Sequence, residues 1–429
     1  MSFAESLRYL DKHINLEARA GHFEDLSLNS MQALMDISGD PQRAFRSIHV
    51  TGTNGKGSTA TMIARLLQAQ GLRVGRYSSP HLTSITERIE IEGEPISEEV
   101  FAEEVLALAA VAELSDHPAS YFELLTAAAY RIFAIEGVEV AVIEVGVLGR
   151  FDATNVIDAD VAVVTNIGTD HTDQQGDWRR RIAEEKVGIS TEHSVLVVGE
   201  TDPELRDIFE NEPSASLLFA ESEFELLNEQ PAVGGRVLDM RTPRGLYEDV
   251  YLPVHGSHQA RNALLALTAT EEFLDAAVPD DVVAEAFGEL ALVGRAEVVA
   301  HEPTILLDGA HNPEAAEALQ DTINLAFAVS EPRVFILGML APRDPTQFIA
   351  QLAISSGDYV LAIPVDSPRT VEPSQIADAA AATGATAETA ASMDSAIDRA
   401  RVLAGIEGIV IVTGSLYAVG EARSTLVSP

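Results

Sequence analysis

The stretch Val50-Thr51-Gly52-Thr53-Asn54-Gly55-Lys56-Gly57-Ser58-Thr59 joins a short extended run, Ser47-Ile48-His49-Val50, to the helical spacing Met62-Ile63 and Leu66-Leu67. Strand, glycine loop and helix start together form the context of a phosphate cradle. Glycines let backbone come close to an anion and take positive φ. Successive N–H groups at a helix start, with the positive end of its dipole, face the phosphates. Lys56 adds a mobile cation for the outer phosphates, and Ser58 or Thr59 a hydroxyl that can reach Mg²⁺. Counting from Gly52, the lysine arrives two residues early for G-x-x-x-x-G-K-[ST], and Gly57 separates it from Ser58.

Working outward, Leu72–Tyr77 reads as a strand that stops at Ser79-Pro80-His81, because proline cannot continue a ladder. Helices are expected over Ser97 to about Glu113 and over Tyr121–Ile135. Val138–Glu144 and Val161–Ile167 are further strands, the first with an acid at its C-terminal end and the second running on to Asp170-His171. Residues 195–255 read as short strands and turns, and a helix opens after Gly256. A second alternation begins with Thr304–Asp308 and continues through Arg333–Gly338, Tyr359–Ile363 and Gly408–Thr413. Alternating strands and helices with polar strand ends specify α/β architecture. The expected fold is a P-loop, doubly wound, mostly parallel sheet domain over 1–297, with N-terminal helices, followed by a smaller Rossmann-like α/β domain over 298–429.

The charge excludes some partners. With 67 acidic residues against 28 basic ones the net charge is −39, a surface that repels nucleic acid and anionic membrane. No apolar run is long enough to span a bilayer, and the N-terminus lacks a basic segment followed by an apolar one, so a cytoplasmic protein is expected. The absence of cysteine removes disulfides and thiolate chemistry. Lysines are confined to Lys12, Lys56 and Lys186 in a chain that otherwise uses arginine. A lysine kept under such a preference points to chemistry that arginine cannot perform, such as fitting a tight loop or being covalently modified.

Three constellations stand beside the loop. Glu144, Asp170 and His171 close strands expected to neighbour it, which suits Mg²⁺, although histidine is an unusual Mg²⁺ ligand and residue type alone favours a capping or core-satisfied His171. Lys186, in the last turn of a helix ending at Gly188, can serve the helix dipole alone. Asp308 and His311 end the first strand of the second domain before Asn312-Pro313, where a capped turn is the alternative to a nucleotide contact. Arg295, just before, can place a cation over a phosphate. A P-loop ATPase or kinase with an appended ligand-binding domain also accommodates the phosphate loop.

These motifs, in order along nearly the whole chain, resemble the folylpolyglutamate synthase and dihydrofolate synthase family of the Mur ligase superfamily. The resemblance is carried by Gly52–Thr59, Ser79-Pro80-His81-Leu82 with Glu87-Arg88-Ile89, Phe122-Glu123 with Thr126, Glu144-Val145-Gly146 and Gly149–Asn155. It continues through Asp170–Asp173, Glu185–Ile189, His258-Gln259 with Asn262, Gly294-Arg295, Leu307–Pro313 and Thr413–Tyr417. It implies an ATP-dependent amide ligase that phosphorylates a pteroate or folate carboxylate and then adds L-glutamate, working as a monomer. By matching motif it implies that Gly52, Thr53, Asn54, Gly55, Lys56, Gly57, Ser58 and Thr59, with Asn262, Arg295 and Asp308, contact ATP. Ser79, Glu144, His171 and a carbamylated Lys186 are implied as Mg²⁺ ligands. Ser79, Pro80, His81, Phe122, Asp152 and Ser415 are implied for substrate, with Lys56, Glu144, His171, Lys186, Asp308 and His311 catalytic. A cell-wall Mur ligase fits less well, since only about fifty residues precede the loop, too few for the extra domain those enzymes place there. Val147-Leu148 stands where the family usually has Leu-Gly, which implies a stiffer loop, and Arg343 stands where a lysine is usual.

Overall fold

The structure, a computed structural model, describes residues 2–15, 27–115, 117–169, 176–327 and 331–427. The chain divides into two compact units. One comprises Met1–Gln230, Val237–Pro253 and Gln259–Leu290, and the other Pro231–Arg236, Val254–His258 and Ala291–Pro429. No helix among the described residues is long and apolar enough to cross a membrane.

In the first unit, α1 (Phe3–Leu10) and α2 (Asn29–Ser38) precede β1 (Arg46–Thr51), which runs through the glycine loop into α3 (Lys56–Ala69). Next come β2 (Val74–Tyr77), the short antiparallel pair β3 (Ile89–Ile91) and β4 (Glu94–Pro95), then α4 (Glu98–Ala112), α5 (Tyr121–Ile135) and β5 (Val140–Glu144). Then come β6 (Val161–Val164), α6 (Trp178–Val187), β7 (Val195–Val198), α7 (Arg206–Asn211) and β8 (Ser216–Phe219) in that order. Strands β9 (Glu225–Ala232), β10 (Gly235–Arg241) and β11 (Leu246–Leu252) make a separate three-stranded sheet, and α8 (Ser257–Leu274) and α9 (Asp280–Gly288) complete the series.

The main sheet has the order β4-β3-β2-β5-β1-β6-β7-β8, so β1 lies between β5 and β6 and is parallel to both. Five of its six residues are buried, the signature of a strand covered on both faces. Its neighbours are packed by two clusters, one built on Tyr130 and Phe133 of α5 and Phe101 of α4 against Ile143 of β5, and another on Ile182 and Val187 of α6 with Phe209 of α7 against Val164 of β6. The consequence for function is register. Val50 pairs with Glu144 and Thr51 with Val164, so three strand ends converge where β1 gives way to the loop.

The second unit contains β12 (Glu297–His301), β13 (Thr304–Leu307), α10 (Pro313–Ala326), β14 (Arg333–Leu337), α11 (Pro345–Gln351) and β15 (Tyr359–Ala362). It ends with α12 (Pro373–Ala381), β16 (Thr386–Thr389), α13 (Met393–Ala404), β17 (Ile409–Thr413) and α14 (Leu416–Leu426). Its sheet order is β12-β13-β17-β14-β15-β16, parallel except for β12. Asp344 caps α11 through the Thr346 N–H (2.9 Å), ahead of Pro345 at the first helical position.

Two expectations need correction. The region 195–255 contains a helix, α7, whose six residues are too few to display a helical period, its buried pair Ile208-Phe209 being adjacent. The second sheet begins before Thr304, because Glu297–His301 folds back antiparallel on β13 with a bulge that interrupts its alternation.

Candidate active site

The loop is shaped by what lies against its glycines. Gly52 has φ 145, and a Cβ there would stand 1.7 Å from Thr165 Oγ1. Gly55, with φ 84, caps α3, and a Cβ there would stand 2.6 Å from Asn262 Oδ1. Both positions combine a left-handed backbone with a side chain in the way, so only glycine fits. At Gly57 the nearest group is Glu144 Oε2, 3.4 Å from an ideal Cβ, which places that buried carboxylate (5% exposed) beside the first turn of α3. Asn262 is itself oriented by donating from Nδ2 to Gln259 Oε1 (3.0 Å).

Both lysines arrive at the loop. Lys56 Nζ donates to the carbonyls of Gly52 (3.0 Å) and Thr53 (3.3 Å), and Lys186 Nζ, buried at the end of α6, donates to the same Gly52 carbonyl (2.7 Å). Ser58 and Thr59 are buried in the first turn of α3, and Thr59 Oγ1 has no hydrogen-bond partner among the described residues. The Ser79 N–H reaches Glu144 Oε2 (3.4 Å), so β2's end joins the cluster. His171, with Asp170 and Asp173, lies outside the described residues, as do Gln174 and Gln175. Among the described residues no three His, Asp or Glu side chains form a ready-made cation cage.

Beyond Ser79 the Ser79–Pro80 peptide is cis, and His81 Nδ1 accepts from Nε of the buried Arg88 (2.9 Å). Phe122 lies 6.0 Å from Tyr77 and against Gly146, whose missing Cβ would touch its ring at 2.5 Å. Asp152 is used within its own loop. Its carboxylate accepts from the N–H of Val147 (2.8 Å) and from Thr154 N (3.0 Å) and Oγ1 (2.5 Å). Burial raises its pKa, while those bonds oppose the rise. The departure at Leu148 has a visible form: φ is 62, a conformation that costs a non-glycine residue about 1 kcal/mol or more, and Thr51 Oγ1 donates to its carbonyl (2.6 Å).

The same loop is tied to β1 a second time. His49, fully buried, bonds through Nε2 to Thr154 Oγ1 (2.8 Å), and because that hydroxyl donates to Asp152, the imidazole carries its proton on Nε2. Burial lowers the His49 pKa to about 3 from its ordinary 6.5. A depressed pKa leaves its stabilising contribution whole above pH 6.5 and removes it as pH falls towards 3. His49→Gln, which keeps a donor but does not titrate, should therefore flatten the acid loss between pH 6.5 and 4.5 by up to about 1.4 kcal/mol per pH unit. Urea titrations across that window check this, and equal slopes for the two proteins would refute it. Asp152 and Asp308, whose pKa values burial raises, act in the opposite sense, losing stability as pH rises above about 4.

In the second unit, Asp308 ends β13 with both carboxylate oxygens occupied, accepting from the N–H of Ala296 and of Ala310 (2.8 Å each). Burial raises its pKa, and the Arg295 guanidinium works against the rise. Arg295 Nη1 lies across Gly309, 2.6 Å from where a Cβ would stand. His311 Nδ1 donates to the Gly309 carbonyl (2.7 Å), which presents Nε2 as the other ring nitrogen. Asn312 caps α10 through the Ala315 N–H (2.9 Å), so the capped turn and the Asp-His pair coexist. Ser415 is the cap of α14, its hydroxyl oxygen accepting from Ala418 N (3.1 Å), which leaves the O–H free to donate.

Two residues at the heart of the first unit escaped sequence reasoning. Thr165 and Asn166 follow β6 and bond directly to the loop: Thr165 Oγ1 and Asn166 Nδ2 both donate to the Asn54 carbonyl, at 2.7 and 2.9 Å. The available signal was the two polar residues ending the apolar run Val161–Val164 on the ligand edge of the sheet.

A glycine loop leaving the middle of a mostly parallel sheet, with a second α/β unit to follow, is the arrangement expected of a ligase of the Mur class. The model of the Mur ligase middle domain matches residues 50–270, and that of the Mur ligase, glutamate ligase domain, residues 294–416. Within that class the chain belongs to the dihydrofolate synthase/folylpolyglutamate synthase family. It is 38% identical to a dihydrofolate synthase/folylpolyglutamate synthase of Mycobacterium tuberculosis, over 93% of this chain and 90% of that one. A solved M. tuberculosis folylpolyglutamate synthase complexed with ADP superposes with a TM-score of 0.92 at 36% identity, covering 100% and 98% of the two chains. A bifunctional folylpolyglutamate synthase/dihydrofolate synthase of Yersinia pestis, solved with AMPPNP and Mn ion, gives 0.85 at 30%, covering 99% and 98%.

Proposed function

We propose that this chain is an ATP-dependent ligase that joins L-glutamate to the carboxylate of a dihydropteroate, a folate or both. The observation that carries the reading is the meeting of Lys56, Lys186 and Glu144 on one glycine loop, in a chain whose relatives share that family across both units. The solved neighbours with ADP, and with AMPPNP and Mn ion, support a nucleotide and a divalent cation here.

The loop amides and Lys56 hold the β- and γ-phosphates while a carboxylate oxygen of the acceptor attacks the γ-phosphorus, forming an acyl phosphate and releasing ADP. The glutamate amine, having lost a proton, attacks the acyl carbon, and the tetrahedral adduct collapses to amide and phosphate. Activation of the leaving group and ordering of the reactants supply the rate, so no protein nucleophile is needed. Asn262 lies against Gly55 and is assigned to the nucleotide, as are Arg295, Asp308 and His311. Pro80, His81 and Phe122 are assigned to the acceptor, and Asp152 shapes that wall by holding its loop.

The donor set suits Mg²⁺, which takes one or two carboxylates together with phosphate oxygens. Glu144 and Ser79 are adjacent, and the buried Thr59 hydroxyl in the first turn of α3 has no hydrogen-bond partner among the described residues. Glu144, Ser79, His171 and carbamylated Lys186 would hold the ion, which supplies charge neutralisation on the phosphates. Carbamylation is supported by charge. Two ammonium groups on the Gly52 carbonyl repel by about 1–4 kcal/mol at contact distance, and a carbamate on Lys186 turns that repulsion into attraction. One chain carries both units, so the reading needs no partner subunit, and the expected setting is a cytoplasmic monomer.

The test is phosphate release from MgATP, expected only when L-glutamate and a pterin acceptor are both present. Release with neither would replace this reading by a simple ATPase. Parallel assays with 7,8-dihydropteroate and a reduced folate monoglutamate decide between one activity and both.

A further inference from the structure

We infer that Asn166 and Thr165 are positioning residues that aim the phosphate loop, taking over the role that two additional loop residues play in the longer G-x-x-x-x-G-K form; this rests on the nucleotide reading above. Only Thr53 and Asn54 separate the first two glycines, so the loop is too short to fix its own curvature. The end of β6 fixes it instead. The Asn166 side chain pairs with Asn54 as a neighbouring strand would, Oδ1 accepting from Asn54 N (3.0 Å) and Nδ2 donating to Asn54 O (2.9 Å). Thr165 Oγ1 adds a second donor to that carbonyl (2.7 Å), and the main chain of Asn166 accepts from Thr53 N (2.9 Å). Thr53 Oγ1 completes the seam by accepting from Gly168 N (2.9 Å).

The effect follows from peptide geometry. In a trans peptide the C=O and the next N–H point in opposite directions. Turning the Asn54 carbonyl inward onto two donors therefore turns the Gly55 N–H outward, at the head of α3 where an anion binds. By the same rule, committing Asn54 N to Asn166 turns the Thr53 carbonyl the other way, where it accepts from Lys56. One side-chain amide thus sets the direction of a loop N–H and the resting place of the lysine. Thr165 has a further constraint, since its hydroxyl occupies the space that a Cβ on Gly52 would need.

The experiment measures MgADP binding by calorimetry, steady-state kinetics and melting on the full chain. Asn166→Ala is expected to weaken MgADP by about tenfold or more and to raise the KM for ATP in parallel. The KM values for glutamate and the pterin acceptor should stay within about twofold, and Tm within about 3 °C. Asn166→Asp keeps the acceptor for Asn54 N but sets an oxygen against Asn54 O, so it should lose at least as much as alanine. Thr165→Val should lose about three- to fivefold, and Thr165→Ser, which keeps the hydroxyl, should restore wild-type affinity. Affinity within about twofold of wild type in both Asn166→Ala and Thr165→Val would overturn the inference, as would an equal rise in all three KM values with a lowered Tm. A wild-type chain that binds no MgADP would instead remove the nucleotide reading on which the inference stands.

Discussion

Lys56→Ala is expected to lower kcat for glutamate-dependent phosphate release by about 10²- to 10³-fold, the loss that follows when one preorganised charge donor is removed from a developing anion. The fold should survive it. Lys56 is half-buried, its two bonds are to carbonyls of its own loop, and the Gly52 carbonyl keeps the donor from Lys186. The loss should therefore come with a Tm within about 2 °C of wild type, which separates chemistry from unfolding. Lys56→Arg should not restore activity. A compact ammonium fits between the Gly52 and Thr53 carbonyls, whereas a planar guanidinium needs a wider approach and a fixed fork. A stopped-time phosphate assay on matched protein decides it, and retention of a tenth or more of wild-type turnover by Lys56→Ala would refute the assignment. The scarcity of lysine sharpens the test, since arginine is this chain's ordinary cation and has not been used at this position.

How much of this was readable in advance divides along a physical line. Local patterns gave the elements: Tyr121–Ile135 is a helix between its capping Ser120 and a strand because its apolar spacing, its cap and its Glu123 agree. The neighbours of the loop were also legible, because a carboxylate closing one apolar strand and polar residues closing the next fall on the ligand edge of a parallel sheet. What the sequence did not reveal depends on distances across the sheet. That the strand Val161–Val164 neighbours β1 was expected, but nothing in Val163-Val164-Thr165-Asn166 says that the Asn166 side chain pairs with the main chain of Asn54. His49 is similar: as a histidine inside an apolar run it reads as core, and its bond to Thr154 spans 105 residues. Asp152 and Ser415 show the converse. Their residue types fit substrate contacts, and only the structure shows that each also spends hydrogen-bonding capacity on holding its own segment.

Lys186→Ala is expected to lower kcat by a similar factor, about 10²- to 10³-fold, but with a chemical signature that Lys56→Ala lacks. If Lys186 acts as a carbamate, its ammonium has lost one proton to become an amine, and that amine has added to CO₂, forming an N–C bond and losing a second proton, so its charge has gone from +1 to −1. An alanine at the end of α6 leaves a buried space ahead of the Gly52 carbonyl that a short carboxylate can enter, because Lys186 is 5% exposed and reaches that carbonyl directly. Formate or acetate should then recover part of the activity, and small alkylammonium ions should not. Lys186→Met separates position from space. It fills much of the same volume, so it should be as inactive as the alanine variant yet resist rescue. Rescue by ammonium ions in place of carboxylates would mean that Lys186 works as the cation seen here, donating to Gly52 O and steadying the loop. Failure of both classes to restore Lys186→Ala would leave the lysine as a structural prop, and Tm would then fall by several degrees, since truncating a buried side chain leaves a cavity even though the Gly52 carbonyl keeps its donor from Lys56. On this reading the two lysines make opposite demands on charge at a single carbonyl oxygen: Lys56 is expected to stay positive to meet phosphate, and Lys186 is expected to have given its charge up.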